Sequence, residues 1–358
     1  MSRGKRKFVT LLLIILDALL VIKLASGTGE ELTEGSLQLD LLPNIRFGLN
    51  LIPQSTDNIF GLFGWPPQMT KEPQDEEGLK IEVWDEQDGV SSMELEEYII
   101  HVVAGEMPAS YESEALKAQA VAARTYAMKH IHGEAKCKSG YTICTDPGCC
   151  QACLSTDEMK ASWGDSYDTY YQKLYDAVEA TRGEVLMSDG KLISALYHSS
   201  SGGKTEDSEA VFAVALPYLV SVDSEGEEDS PEYSDEKTFK NTELCALVNE
   251  AFPQANLSKP SDQIDIWGRT DSGRVKLVQL GGTVVNGQQF RTLLKLHSTN
   301  FSFKFSKDSV TITCIGFGHG VGMSQCGANV MAKRGSDYHE ILEHYYTGVE
   351  ITIMDSTD

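Results

Sequence analysis

Positive charge is scarce in this chain: 30 Lys and Arg stand against 53 Asp and Glu in 358 residues, a net charge of −23. That balance excludes a nucleic-acid binder whose affinity comes from neutralising phosphates. Cysteine is sparse overall, with eight residues, too few for a disulfide-dense miniprotein. No internal repeat is visible, and the H-E-x-x-H pattern of zinc proteases is missing. What is present is an apolar fraction of 41% with 23% charged residues, enough for a sizeable core and incompatible with disorder throughout.

Arg3, Lys5, Arg6 and Lys7 precede an apolar run over residues 8–25, interrupted by Asp17 and Lys23. The run is near the lower limit for a bilayer span and long for the core of a signal peptide. Its basic flank keeps the N-terminus cytoplasmic and exports the rest. The expectation is a retained transmembrane anchor within residues 1–27, with cleavage near Ala25-Ser26-Gly27 as the competing one; either way the bulk is extracytoplasmic. Residues 28–78 are rich in Gly, Pro, Asn and Asp and read as an extracytoplasmic linker, with one apolar patch at residues 59–65.

Periodic structure begins at Leu79-Lys80-Ile81-Glu82-Val83-Trp84, which alternates like a strand. Ser91 followed by Glu94 has the form of a capping box, and Leu95, Tyr98, Ile99, Val102 and Val103 then recur at helical spacing. Pro108 ends that helix near Gly105 or Glu106. An Ala-rich helix over residues 112–131 follows, with Gly133 as its cap, then a Tyr-rich helix over 167–180 and a strand over 192–198. Residues 223–236 carry eight acids and no base and read as a solvated loop. Two strands over residues 264–280 flank Asp271-Ser272-Gly273, Val284-Val285-Asn286-Gly287 reads as a hairpin, and residues 310–315 form another strand. Two helices close the chain, the last opened by Asp337 with Glu340 and closed by Gly348. Helices and hairpins are segregated more than alternated, so the predicted class is α+β, a single large mixed domain of helices and antiparallel hairpins over residues 79–352.

Glu106 lies on the continued apolar face of the first helix, at its negative end. Burial and the helix dipole both disfavour the anion and raise the pKa toward what a general acid needs at neutral pH. The bland alternative is a Glu pointing to solvent from a frayed end. Arg124, in the middle of the Ala-rich helix, requires a partner if buried. Were that partner Glu106, the pair would oppose the acid role; a structural ion pair elsewhere is the other possibility.

The turn Gly316-Phe317-Gly318-His319-Gly320-Val321-Gly322-Met323-Ser324-Gln325-Cys326-Gly327 matches neither G-x-G-x-x-G nor the phosphate loop. It offers close backbone approach, with His319, Ser324 and Gln325 as hydrogen-bonding groups. Uncharged, hydroxyl-rich ligands such as glycans suit such a surface, and a tight turn whose glycines only satisfy packing is the alternative.

Three blocks now stand out: Ala104-Gly105-Glu106-Met107-Pro108 with Ala123-Arg124-Thr125-Tyr126; Tyr197-His198-Ser199-Ser200-Ser201-Gly202-Gly203-Lys204-Thr205; and Gly318-His319-Gly320-Val321-Gly322-Met323-Ser324-Gln325. In this order they resemble the stage II sporulation protein D family, membrane-anchored lytic transglycosylases of endospore formers. The resemblance implies that Glu106 is the catalytic acid and that Arg124, Lys204 and one of Tyr345 or Tyr346 are functional. Tyr197, His198, Ser199 and Ser324 then become candidates to orient a sugar, beside His319 and Gln325. It further implies cleavage of the bond between N-acetylmuramic acid and N-acetylglucosamine in peptide-stripped peptidoglycan strands, giving 1,6-anhydro ends during engulfment. The implied setting is the mother-cell membrane facing the intermembrane space, alongside sporulation proteins M and P. A hydrolytic muramidase, a zinc-dependent amidase and a noncatalytic glycan-binding scaffold are the alternatives.

Cys137, Cys144, Cys149, Cys150 and Cys153 are separated by six, four, zero and two residues. This density suits a structural tetrahedral Zn²⁺, and adjacent cysteines share a metal more readily than they form two separate bridges. Relatives often carry C-T-D-x-x-H-C-Q-A here, whereas this chain has Cys149 in place of the His. The expected ligands are Cys137, Cys144, Cys149 and Cys150, with Cys153, His130 and His132 as substitutes. Disulfides, natural for an exported protein, are the opposing expectation.

Overall fold

The computed structural model describes residues 78–354, which fall within one compact unit. The basic end, the expected anchor and nearly all of the expected linker lie outside the described residues. Among those that are described, no helix is long and apolar enough to cross a membrane. The architecture is mixed α+β, with helices and small, mostly antiparallel sheets.

Strands β1 (Lys80–Asp85) and β2 (Gly89–Glu94) form an antiparallel hairpin. The chain then passes without a loop into helix α1 (Leu95–Glu106). The expected capping box is not formed. Ser91 is taken by the ladder opposite Val83, and Glu94 occupies the cap position in an extended conformation with no side-chain cap bond.

Helix α2 (Ser113–Ile131) is the axis of the larger core, as its alanines allow. Ala115, Ala118, Ala120, Ala122, Ala123 and Ala127 are all buried, and α1 and the helices Tyr167–Ala180, Gln325–Lys333 and Tyr338–Tyr345 pack around them. Methyl-sized side chains let four helices approach one backbone, so enlarging any of them would overpack the core at a cost of about 1–3 kcal/mol. The helix stops where Gly133 takes a φ of +70°, the left-handed cap that the sequence indicates.

A second core gathers Leu244, Val248, Val278, Leu280, Phe290, Phe301, Val310 and Ile312. Its residues come from two three-stranded antiparallel sheets, one of Ile264–Ile266, Leu277–Leu280 and Thr283–Asn286, the other of Phe301–Phe305, Ser309–Ile315 and Ser234–Lys240, and from the helices Asn241–Ala251 and Gly287–Leu294. Here the expected hairpin turn at Asn286-Gly287 is instead a helix start. Asn286 caps the helix Gly287–Leu294, and Gln289 completes a capping box. A Cβ on Gly287 would lie 2.1 Å from the Val275 carbonyl oxygen, so close backbone approach accounts for that glycine. The predicted strand over residues 192–198 is also split. Only Lys191–Leu192 and Tyr197–His198 are laddered, because the chain leaves the strand Glu184–Ser188 to pair with Met323–Ser324. The last helix opens at Asp337 with the expected box but ends at Tyr345, ahead of Gly348.

The acidic stretch differs most from expectation. Glu227 is buried at 1% exposure. Its Oε1 accepts from the hydroxyls of Ser201, Ser224 and Ser324, and its Oε2 from the Ser200 hydroxyl and the Ser201 and Gly202 amides. Six donors replace the water that a buried carboxylate loses.

Candidate active site

Glu106 is the last residue of α1, half-buried, and three segments distant in sequence close on it. The loop after the cysteines comes first. A Cβ at Gly105 would lie 2.9 Å from the Ala152 carbonyl carbon, so only glycine lets that loop pass. The Ala152 amide then donates to Glu106 Oε1 at 2.6 Å. From the opposite side Gln325, at the start of the helix Gln325–Lys333, directs its Nε2 at Glu106 Oε2 and at Gln119 Oε1, each at 3.4 Å. The third is Tyr197, whose hydroxyl faces the Glu106 carboxyl and donates to Gln151 Oε1 at 2.8 Å. The parallel pairing of Tyr197–His198 with Met323–Ser324 brings the second and third blocks side by side.

Burial raises the pKa of Glu106 above its ordinary value, against the opposing pull of the hydrogen bonds from Ala152 and Gln325 and of the nearby Tyr197 hydroxyl. Desolvation therefore exceeds hydrogen bonding. No second carboxylate is among the groups acting on it. Arg124 does not meet Glu106. It is 1% exposed, and its Nε and Nη2 donate to the carboxylate of Glu96, the latter at 2.6 Å, while Nη1 donates to the Glu184 carbonyl. That is the structural ion pair of the two possibilities, and it leaves the proton of Glu106 undisturbed. A cavity of about 800 Å³ lies beside this pair, lined by Leu79, Arg124, Tyr171 and Ile353 among others, and does not include Glu106.

The remaining expected residues divide sharply. His198 is buried, its Nδ1 3.2 Å from the Val321 carbonyl, and its ring centroid lies 5.6 Å from that of His319. His319 Nδ1 accepts from the Val321 amide at 3.1 Å. Burial, helped by Arg291 and Arg274, lowers its pKa to about 4, so this imidazole is neutral at neutral pH. Ser199 is half-buried, and its carbonyl accepts from the Cys326 amide. Ser324 is fully buried, and its hydroxyl is held by Glu227. Lys204 lies away from Glu106, with its Nζ 3.9 Å from Asp223. Neither C-terminal tyrosine is exposed: Tyr345 Oη is 2.6 Å from Ser224 Oγ, and Tyr346 Oη donates to the Leu196 carbonyl at 2.8 Å. Of the expected substrate-facing set, Tyr197 and Gln325 are the residues gathered at Glu106. Sequence reasoning missed Gln119, Gln151, the Ala152 amide and Glu227. The first two are ordinary polar residues, and the third is a backbone group that no side-chain pattern reveals.

The cysteines form the expected four-thiol cluster, with the sulfurs of Cys137, Cys144, Cys149 and Cys150 all within 4.8 Å of one another. Cys149 Sγ is 3.6 Å from Cys137 Sγ and 3.8 Å from Cys150 Sγ. Tetrahedral thiolates at about 2.3 Å from a zinc ion stand about 3.8 Å apart, whereas a disulfide needs about 2.05 Å. The donor set thus fits a metal ion. His130 is turned away to the Thr142 carbonyl, and Cys153 lies outside the cluster. The loop continuing from Cys150 carries Gln151 and Ala152, so the cluster is one residue from the group that touches Tyr197 and two from the group that touches Glu106.

Comparison with known proteins places the chain among sporulation proteins. The family model described as "Stage II sporulation protein" matches residues 85–187. The stage II sporulation protein D of Bacillus subtilis (strain 168) is 39% identical over 268 residues, 75% of this chain and 77% of that protein. Its counterpart in Bacillus amyloliquefaciens is 38% identical over 75% of this chain and 76% of its own length. The "Amidase enhancer" of Bacillus subtilis (strain 168) is 31% identical over 70% of this chain and 40% of that protein. The chain belongs to the stage II sporulation protein D family.

Proposed function

We propose that this protein is a peptidoglycan lytic transglycosylase acting in sporulation. It cleaves the N-acetylmuramic acid to N-acetylglucosamine bond of peptide-stripped strands during engulfment. The observation that carries the reading is Glu106: a carboxyl made reluctant to ionise by burial, without a second carboxylate acting on it. Protonated Glu106 gives its proton to the glycosidic oxygen as the bond to the muramoyl C1 breaks. The resulting carboxylate takes the proton of the muramoyl 6-hydroxyl as that oxygen closes on C1. The leaving sugar departs with the first proton, Glu106 regains the second, and no water is consumed. One group serves as acid and base in turn, unlike the paired carboxylates of most glycosidases. Tyr197 and Gln325 orient the carboxyl.

Zn²⁺ held by Cys137, Cys144, Cys149 and Cys150 is structural in this reading, since four thiolates leave no position for water. It clamps the loop that presents the Ala152 amide. The apolar run over residues 8–25 anchors the chain with its N-terminus cytoplasmic and the catalytic domain in the space between mother cell and forespore, where sporulation proteins M and P are its partners. Similarity to a protein named an amidase enhancer favours one second reading, a noncatalytic glycan-binding scaffold. Mass spectrometry of peptide-free strands digested by the protein and by Glu106→Gln tests both. The transglycosylase leaves ends lighter by one water than a hydrolase would, and the variant leaves none. Reducing ends indicate a muramidase, and intact strands with the unsubstituted protein indicate the scaffold.

A further inference from the structure

Gln119 is out of keeping with its surroundings. It lies on the buried face of α2 among Ala118, Ala120, Ala122 and Ala123 and is 0% exposed. A carboxamide there must find donor and acceptor partners inside the protein. Its Oε1 accepts from Gln325 Nε2 at 3.4 Å, while its own Nε2 has no hydrogen-bond partner among the described residues. A buried donor left unmatched costs about 1–3 kcal/mol, so packing does not explain the residue. Violations of this kind concentrate at functional sites.

The same Gln325 nitrogen lies 3.4 Å from Glu106 Oε2. An amide NH₂ has two hydrogens, one for each acceptor. Glu106 Oε1 is held by the Ala152 amide at 2.6 Å, and a backbone N–H can only donate. The proton that Glu106 gives and regains is therefore carried on Oε2, the oxygen that Gln325 faces. Turned the other way, Gln325 would set its carbonyl oxygen against that of Gln119. Its backbone is fixed as well, since Ser324 caps the helix it opens and the Cys326 amide donates to the Ser199 carbonyl. Gln119 thus leaves Gln325 one orientation, with its donor toward Glu106.

We propose that Gln119 is a positioning residue that keeps the NH₂ of Gln325 aimed at Glu106 Oε2, so that the carboxylate formed on proton transfer meets a donor. The proposal rests on Glu106 as acid and base. Of the segments packed on Glu106, the cysteine loop presents a backbone amide and the helix Gln325–Lys333 a carboxamide. The strand Tyr197–His198 presents a phenol, the single titratable group acting on Glu106.

The test is a carbon-13 titration of the Glu106 carboxyl in the full chain without substrate, in Gln119→Met, Gln325→Met and the double variant. Methionine is unbranched like glutamine and offers no donor and only a weak acceptor. Either single change deprives the carboxylate of an enforced donor, and the midpoint rises by up to about one pH unit, or tenfold in proton affinity. The double variant rises no further than Gln325→Met, because Gln119 acts only through Gln325. The high-pH limb of strand cleavage moves upward with each. Were Gln119 merely structural, its loss would admit water and lower the midpoint, or leave it unmoved, with or without Gln325. A lowered or unmoved midpoint in Gln119→Met, or additive shifts in the double variant, overturns the proposal. Should a variant fail to fold, labelled glutamine side chains in the unsubstituted protein decide. A Gln325 NH₂ and a Gln119 carbonyl carbon that both shift through the Glu106 midpoint support the proposal; a Gln119 carbonyl that stays fixed overturns it. Shared, non-additive shifts without strand cleavage would leave the role of Gln119 standing and remove the transglycosylase, and anhydro ends with additive shifts would do the reverse.

Discussion

Replacing Glu227 by Gln is the sharpest probe of how the serine block and the glycine-dense turn are joined. The carboxylate is buried, with three hydroxyls on Oε1 and one hydroxyl and two amides on Oε2. The Ser201 amide cannot rotate, so the new carboxamide must keep its oxygen at the Oε2 position, 2.8 Å from that nitrogen. Its NH₂ then faces the hydroxyls of Ser201, Ser224 and Ser324. Two can turn to accept, and one loses its partner at about 1–3 kcal/mol. The bonds retained at Oε2 also fall from charge-assisted to neutral strength, a loss of about 1 kcal/mol each. The sum is a destabilisation of roughly 4–6 kcal/mol, or a melting point lower by about 10 °C in a domain of this size. Calorimetry on the two proteins measures it. A loss under about 1 kcal/mol would refute the view that Glu227 fastens these segments together.

Two further outcomes follow from the site. Glu106→Gln should be the more stable protein at neutral and alkaline pH. A pKa raised by folding gives stability that is complete below the unfolded carboxyl's pKa and lost as pH rises through the folded one; melting curves against pH should converge only in acid. Cys144→Ser should reduce bound zinc, counted by elemental analysis, from one per chain, and should lower the melting point before it alters the chemistry of Glu106. Full zinc occupancy in that variant would remove Cys144 from the ligand set.

Much of the larger core was legible because its signals are local. Leu95, Tyr98, Ile99, Val102 and Val103 mark one face of α1, and the alanines of α2 announce a helix closely surrounded by others. The four-cysteine cluster was legible from density alone. Long-range partners were not. Whether Arg124 met Glu106 or another group depended on the fold, and the answer, Glu96, lies on the same helix as Glu106, ten residues earlier. The same limit applied to Asn286-Gly287, where a hairpin signal and a capping box share two residues and only the packing of Phe290 and Leu294 decides between them. The acidic stretch misled because charge density predicts solvation on average, while one member, Glu227, is the acceptor that the serine hydroxyls need. Ser324, Tyr345 and Tyr346 likewise read as ligand-facing polar residues, yet their hydroxyls serve the interior.

The central claim is that burial keeps Glu106 protonated at pH values where an ordinary glutamate is ionised. Carbon-13 NMR titration of the side-chain carboxyls, with Glu106→Gln to assign the resonance, measures this directly. The account predicts a midpoint clearly above the ordinary glutamate value of 4.5. A midpoint at or below that value would contradict it.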